Sequence, residues 1–495
     1  MNLHELSQQL LMFRIAGDGS VGISDLETDS RKVKPGHLFV CLPGHTVDGH
    51  DFAEQAAAQG AAALLVSREL PVALPQLVVP DTRLALAKLA DFFYGRPSHK
   101  LRPVGVTGTN GKTTTTYLIE KIWTDAGVPA GVIGTIETRF AGRTLPMSGT
   151  TPDVLELQRI FRDMAESGTE RCVMEVSSHA LEQGRVKGTR FRTAVFTNLT
   201  QDHLDYHGTM EAYQAAKGLF FSRLGNDYAD RPEDRTYAVL NADDKASEAF
   251  AKLTAAEVVT YGIDNEAHLR AGDVSISARG TQFTLTTLQG VRQVRLRMVG
   301  KFNVYNALAA LAAAWCEGIP LDSAIASLEA VPGVPGRAES VDEGQDFAVV
   351  VDYAHTPDGL ENILRTVREL ATGQVICVFG CGGDRDRTKR PKMGKIAAEL
   401  ADTVIITSDN PRTEDPLRIL DDIEAGLKEA GVGQDRYRLL PDRRKAIEMA
   451  VESANPGDVV LIAGKGHETY QIIGGVTHDF DDRLVARAAL RSQQA

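Results

Sequence analysis

The chain has 495 residues, room for about three domains at roughly 150 residues each. Its 43% apolar and 24% charged content is that of an ordinary soluble globular protein. A formal charge of −12 argues against a general nucleic-acid binder, which needs clustered Lys and Arg, but leaves room for a small anion in a locally basic pocket.

The N-terminus, "MNLHELSQQLLMFRIAGDGS", lacks a basic start and a long apolar block, and reads as a short helix rather than a signal peptide. "HLFVCL" (37–42) and "AALLV" (62–66) are strand-like, with "DFAEQAAAQGA" (51–61) helical between them. A break rich in Pro and basic residues falls at 94–103. "VGVTGTNGKTTTTYLIEKIW" (104–123) then reads as strand, Gly-rich turn and helix, followed by buried strands in "RCVMEVSS" (171–178) and "TAVFTNL" (193–199). Polar and apolar residues alternate through 273–300, which predicts antiparallel sheet. An Ala-rich helix (306–318) comes next, then a second break, "VPGVPGRAES" (331–340). In the last section at least four strands each run into a polar loop: "AVVVDYAHTPDG", "VICVFGCGGDRDR", "TVIITSDNPR" and "VVLIAGKGHE". This predicts an α/β protein whose C-terminal part is Rossmann-like, with ligands at the carboxyl ends of the strands. Cys41, Cys172, Cys316, Cys377 and Cys381 are scattered and odd in number, which fits a reducing cytoplasm better than a disulfide framework. No stretch reaches about 18 continuous apolar residues, so no membrane span is expected.

"TGTNGKTT" (107–114) is the strongest motif. Glycines after a strand let the backbone present N–H groups to a phosphate, and the following helix adds its positive end. Gly108, Thr109, Asn110, Gly111, Lys112, Thr113 and Thr114 form the loop; Lys112 suits the β and γ phosphates and the Thr113 hydroxyl suits Mg²⁺. The glycine spacing is a variant of the usual one, since residue 106 is Val. The competing reading is a plain Gly-rich turn. Glu175 lies inside an apolar strand, which is costly unless the carboxylate is paired or bound to metal. "NLTQDHLDYHG" (198–208) supplies Asp202, His203, Asp205 and His207; as single residues these also read as caps or loop residues, and no third ligand completes a zinc site. "GCGGDR" (380–385) begins like a dinucleotide fingerprint, but Arg385 stands at its third glycine position. "SSH" (177–179) lacks the elbow of a serine hydrolase.

In this order, "TGTNGKTT", "MEVSSHAL", "TNLTQDHLDYHG", "AAKGLF", "GKFNVYNALAA", "GRAE", "VDYAHTPD" and "AGKGHE" span nearly the whole chain. The set resembles the Mur ligases, ATP-dependent amide-forming enzymes of peptidoglycan synthesis, and within them the branch that adds meso-2,6-diaminopimelate to UDP-N-acetylmuramoyl-L-alanyl-D-glutamate. The resemblance implies three α/β domains: residues 1–100 for the UDP-sugar, 101–336 for ATP on a mainly parallel P-loop-type sheet, and 337–495 for the incoming amino acid. It implies that Thr28, Ser30, His45, Thr46 and Val47 hold the uridine diphosphate. Thr150, Thr151, Ser177, Gln183 and Arg185 would grip the muramoyl-peptide, and Asn303, Asn306, Arg337 and Asp352 would complete the ATP site. Thr113, Glu175, His203 and Lys217 would hold magnesium, with Lys217 as a carbamate, since a plain lysine is a poor Mg²⁺ ligand. From the residues alone, Lys217 reads as a surface helix lysine.

"DNPR" marks the diaminopimelate enzymes, so the resemblance places Arg385, Asp409, Asn410, Pro411, Arg412, Gly464 and Glu468 around that amino acid. An arginine fork suits its distal carboxylate, and Glu468 its ammonium. A cytoplasmic monomer is expected. The alternatives are the lysine-adding ligase, folylpolyglutamate synthase, a P-loop NTPase without ligase activity, and a non-catalytic binding protein. Arg412, the N-terminal domain, the second metal set and the intact phosphate loop respectively argue against them.

Overall fold

Runs of four or five β-branched and aliphatic residues, buried on both faces, form the strands that carry the polar loops of this protein. The structure, a computed structural model, describes residues 1–44, 47–145, 149–226, 231, 234–277 and 280–494. The chain divides into two units, Met1–Gly105 with Gly127–Ala194 and Asp227–Thr236, and Val106–Ala126 with Val195–Asn226 and Tyr237–Ala495.

In the first unit a five-stranded sheet runs Arg14–Ala16, Gln76–Val78, Ala63–Val66, His37–Val40, Asp25–Glu27. All neighbours are parallel except the Arg14–Ala16 edge. Alternate residues feed two cores: Leu38, Val40, Leu65 and Leu77 on one face, Phe39, Cys41, Leu64 and Val66 on the other. The same unit holds the parallel pair Ala130–Ile133 and Arg171–Glu175, and the antiparallel strands Thr138–Phe140 and Arg143–Leu145. The helix Val154–Glu166 contributes Val154 and Leu155 to the first of these cores, while its Arg159 meets Asp25 at 3.3 Å and the Tyr94 hydroxyl at 3.0 Å.

In the second unit the helix Lys112–Asp125 packs against Lys301–Cys316, whose many alanines permit close approach. That helix begins at Lys301, before the Ala-rich stretch that announces it, and Asn303 and Val304 of its first turns are already buried. Tyr237–Asn241, Glu257–Gly262 and Leu269–Ser277 pair in parallel, and Leu269–Ser277, Gly280–Thr287 and Gly290–Leu296 form an antiparallel meander over the region of alternating sequence.

A six-stranded sheet completes this unit, in the order Glu339–Ser340, Ala348–Asp352, Val459–Ala463, Val375–Phe379, Thr403–Ile406, Tyr437–Leu439, parallel except at the first strand. The helices Pro357–Leu370, Lys389–Leu400 and Pro416–Glu429 cover one face through Leu360, Met393, Ile423 and their neighbours. Arg443–Ser453 and Asp482–Gln494 cover the other through Ile447, Val451 and Ala486. Asp352, the 380–387 loop, the 407–415 loop and Gly464 therefore all emerge from carboxyl ends of parallel strands, the ligand edge of such a sheet. The hairpin Tyr470–Ile473 and Val476–Asp479 lies behind that edge, where the Arg412 amide donates to Ile472 O at 3.0 Å. No helix among the described residues is long and apolar enough to cross a membrane.

Candidate active site

Strand Val104–Thr107 ends in a loop that only glycine can close. Gly111 has φ +83°, and a Cβ there would stand 2.4 Å from Asn306 Oδ1; at Gly108 a Cβ would stand 1.8 Å from Thr197 Oγ1. The chain just past strand Thr193–Phe196 grips the loop: the Thr109 amide donates to Asn198 O at 2.8 Å, the Asn110 amide to Asn198 Oδ1 at 2.9 Å, and Thr197 Oγ1 to Asn110 O at 2.6 Å. Lys112 Nζ folds back over it, donating to the carbonyls of Gly108 and Thr109 at 2.9 and 2.8 Å. Thr113 and Thr114 follow in the first turn of the helix, whose amide end adds positive potential.

A cavity of about 350 Å³ adjoins the loop, within the range of small-ligand sites. Asn110, Gly111, Thr113 and Thr114 line one wall, Lys301, Tyr305 and Asn306 a second, and Arg337, Asp352, Tyr353 and Ile363 a third. Asn303 is buried and accepts from Asn306 Nδ2 at 3.2 Å, so it braces a wall residue. Arg337 Nη2 donates to Thr113 Oγ1 at 2.9 Å while its guanidinium lies 4.5 Å over the Tyr353 ring. Burial pushes the Asp352 carboxyl up, against the Arg337 charge and the amides of Ala338 and Ala354, at 2.6 and 2.7 Å. Asp358, which sequence reasoning passed over, accepts from Asn110 Nδ2 at 2.8 Å. Its position at the start of an amphipathic helix reads locally as a cap.

Lys217 is 1% exposed, so it is no surface lysine. Its Nζ donates to Gly108 O at 2.9 Å and lies 4.5 Å over the Tyr213 ring. Burial, with repulsion from Lys112, holds its pKa well below that of an ordinary lysine, and Asp202 opposes the shift only in part. Asp202 is buried beside His203, at 3.4 Å, with Lys389 at 3.5 Å and His355 at 3.8 Å. Although burial opposes it, these three groups hold the Asp202 carboxyl well below the usual range. Among the described residues, no three His, Cys, Asp or Glu side chains stand together as a metal site.

A second cluster belongs to the first unit. Glu175, 1% exposed, accepts from the Thr135 amide at 2.8 Å and the Thr135 hydroxyl at 3.0 Å, and that hydroxyl also meets Thr150 Oγ1 at 3.1 Å. Thr151 Oγ1 donates to Glu175 O at 2.9 Å and accepts from the Ser177 amide at 3.1 Å. Arg185 joins through Thr151 O at 3.0 Å and Gln183 Oε1 at 2.9 Å. The structure thus brings Thr150, Thr151, Glu175, Ser177, Gln183 and Arg185 into one polar network. Thr28 and Ser30 follow strand Asp25–Glu27; Ser30 Oγ donates to Gln55 Oε1 at 3.0 Å, and Val47 is exposed. His45 and Thr46 lie outside the described residues.

At the ligand edge of the six-stranded sheet, Asn410 Nδ2 donates to Glu468 Oε2 at 2.8 Å, and Lys465 Nζ reaches the same oxygen at 2.8 Å and Asn410 Oδ1 at 3.2 Å. Burial and the Asp409 carboxylate push Glu468 up, against Lys465. Gly464 has φ +116° and a Cβ there would stand 2.6 Å from Asp409 Oδ2. Arg412 holds the left-handed φ of +56° and donates from Nη1 to Gly383 O at 2.7 Å, one of its five N–H donors. Arg385 is exposed on the facing loop. The glycines of "GCGGDR" have a steric role: a Cβ at Gly383 would stand 1.8 Å from Pro411 O.

Sequence models of the Mur ligase family match three parts of the chain: the family's catalytic domain over residues 22–94, the middle domain over 106–314 and the glutamate ligase domain over 336–466. The chain belongs to the Mur ligase family. It is 53% identical, over 100% of both chains, to the UDP-N-acetylmuramoyl-L-alanyl-D-glutamate–2,6-diaminopimelate ligase of Geobacillus thermodenitrificans. A solved structure of a ligase of that name is similar at a TM-score of 0.70 and 37% identity, covering 100% of this chain and 99% of that one. MurF ligase from Thermotoga maritima, solved in complex with ADP, shares the fold at a TM-score of 0.66 and 19% identity, covering 96% of this chain and 99% of that one.

Proposed function

We propose that this chain is an ATP-dependent amide ligase that joins meso-2,6-diaminopimelate to UDP-N-acetylmuramoyl-L-alanyl-D-glutamate in cytoplasmic peptidoglycan precursor synthesis. The observation that carries the reading is the loop "DNPR" fixed at the ligand edge of the C-terminal sheet, with Arg412 and Glu468 beside Asn410, in a chain 53% identical to a ligase of that name.

A carboxylate is a poor electrophile. Its oxygen attacks the γ-phosphorus of ATP, ADP departs, and an acyl phosphate forms. The amine of diaminopimelate then attacks the acyl carbon through a tetrahedral intermediate; phosphate leaves and the nitrogen loses a proton. ATP is assigned to the 350 Å³ cavity, whose walls carry Asn110, Gly111, Thr113, Thr114, Asn306, Arg337 and Asp352, with the loop Gly108 to Thr114 given to its phosphates. Lys112 offsets charge developing on the phosphoryl oxygens.

Thr113, Glu175, His203 and Lys217 as its carbamate are assigned to magnesium; the Thr113 hydroxyl and the carbamate would offer it the oxygen ligands it prefers. Magnesium, when bound, supplies positive charge to the phosphoryl oxygens. A buried lysine with a depressed pKa is the amine that reacts with carbon dioxide: its lone pair forms the N–C bond and its proton is lost, leaving a carbamate. Thr28, Ser30, His45, Thr46 and Val47 are assigned to the uridine diphosphate, and the Thr150, Thr151, Ser177, Gln183 and Arg185 network to the muramoyl-peptide. We assign residues 1–100, 101–336 and 337–495 to the UDP-sugar, ATP and amino acid respectively, in a monomer. ADP release that requires the UDP-muramoyl-dipeptide and diaminopimelate together tests the reading; release with ATP alone at the same rate refutes it.

A further inference from the structure

The residue after next to Arg412, Glu414, is held by a charge network centred on one buried arginine, which the reaction does not itself require. Arg390, fully buried on helix Lys389–Leu400, sets its fork on Glu414: Nη2 donates to Oε1 at 2.8 Å and Nη1 to Oε2 at 3.0 Å. Nη1 also meets Asp422 Oδ2 at 2.9 Å, and Nη2 meets Gly382 O at 3.2 Å. Glu414 Oε1 takes a further bond from the Asp384 amide at 2.5 Å, and the Asp384 carboxylate in turn accepts from the Thr413 amide at 3.1 Å and the Thr413 hydroxyl at 2.9 Å. Two loops from neighbouring strands are thus tied on both sides of Arg412: through Thr413 and Glu414 after it, and before it through Asn410, whose carbonyl accepts from the Gly383 amide at 2.9 Å. Arg412 carries a left-handed φ of +56°, a conformation a non-glycine residue keeps only where its surroundings impose it. Its guanidinium rests on the same loop, on Gly383 O at 2.7 Å, and the lack of a side chain at Gly382 makes room for it: a Cβ there would stand 3.0 Å from Nη1.

We infer that Glu414 and Arg390 are positioning residues for the amino-acid acceptor: by tying the "DNPRTED" loop to the "GCGGDRD" loop they hold Arg412 in its left-handed backbone and aim its guanidinium at the distal carboxylate of the acceptor. A bidentate arginine–carboxylate pair fixes direction as well as distance, and a displacement of about 1 Å at a reacting group costs on the order of a hundredfold. The inference rests on the proposed reading of Arg412 as the residue that meets that carboxylate.

The test compares Glu414→Gln, Arg390→Lys and Arg412→Ala with the parent chain, measuring kcat and the KM for ATP, for the UDP-muramoyl-dipeptide and for diaminopimelate separately. Glu414→Gln keeps an acceptor oxygen but loses the charge-assisted pair; Arg390→Lys keeps the charge but loses the fork. Both are expected to raise the diaminopimelate KM about tenfold or more while the other two KM values and kcat at saturation stay within about twofold. Arg390→Lys is expected to be the milder, since it can still reach one carboxylate oxygen. An unchanged diaminopimelate KM in both variants, with Arg412→Ala raising it, overturns the inference and leaves the acceptor reading standing. A rise in all three KM values with a fall in kcat shows general damage to the fold and also overturns it. If Arg412→Ala itself leaves the diaminopimelate KM unchanged, the acceptor reading fails and this inference with it.

Discussion

Lys112 and Lys217 both place their ammonium nitrogens 2.9 Å from one oxygen, the carbonyl of Gly108. Two cations on one carbonyl repel each other, and the buried one yields: the Lys217 pKa falls well below the ordinary value, through burial first and Lys112 second. The sign follows from linkage. Between the depressed folded pKa and the unfolded value of about 10.4, the unfolded state binds the proton that the folded state lacks. Lys217 therefore lowers stability most below its folded pKa, and that penalty disappears as pH rises to the unfolded value. The neutral amine is expected to take up carbon dioxide: incubation with ¹³C-bicarbonate should give a carbamate ¹³C signal in the parent chain and none in Lys217→Arg. Activity in carbonate-stripped buffer should fall and return on adding bicarbonate.

Gly111→Ala is expected to damage the phosphate loop for two separable reasons. The left-handed φ of +83° costs an alanine about 1–2 kcal/mol, and the new Cβ meets Asn306 Oδ1 at 2.4 Å. Gly127→Ala shares the first cost, at φ +74°, but its Cβ meets nothing within 4 Å. A larger loss of melting temperature for Gly111→Ala, with a KM for ATP raised about tenfold or more, checks the clash against the strain.

Arg337 links Thr113 to Tyr353, by a 2.9 Å hydrogen bond at one end and by stacking at 4.5 Å at the other. Lysine keeps the charge but cannot reproduce a planar group that does both. Arg337→Lys should raise the KM for ATP about tenfold while the diaminopimelate KM changes by less than about twofold, read from steady-state kinetics with each substrate varied in turn.

Arg443 and Asp482, each fully buried, pair at 2.8 and 2.7 Å and anchor Ala463 O at the end of a central strand. Removing one partner strands the other charge in the core. Arg443→Met alone should cost about 3–5 kcal/mol in urea unfolding, and the double variant Arg443→Met with Asp482→Leu should recover most of it.

The phosphate loop was legible because its signal is local: glycines, a lysine and two threonines between a strand and a helix. The four strand–loop units of the last section were legible for the same reason, since each β-branched run ends at its own polar turn. Long-range pairings left no such mark. Lys389 reaches Asp202 from a distant part of the chain, and nothing near either residue announces the other. Arg390 stands among five other basic residues between Arg385 and Lys395, so its complete burial is invisible in composition. The glycines of "GCGGDR" hinted at a nucleotide fingerprint, but their requirement comes from Pro411 and Arg412 on a loop encoded about thirty residues later. Lys217 looked exposed on a helix because the alternation of Ala, Gly and Phe around it does not say which face the Gly108 carbonyl occupies.

The measurement that bears most directly on the proposed function is a product assay with the purified chain, ATP, Mg²⁺ and UDP-N-acetylmuramoyl-L-alanyl-D-glutamate, with diaminopimelate and lysine offered in parallel. Mass spectrometry should find the diaminopimelate adduct in large excess over the lysine adduct, and Arg412→Ala should reduce the diaminopimelate rate at limiting substrate by about a hundredfold. Equal use of lysine, or full diaminopimelate activity in Arg412→Ala, would contradict the role given to the "DNPR" loop.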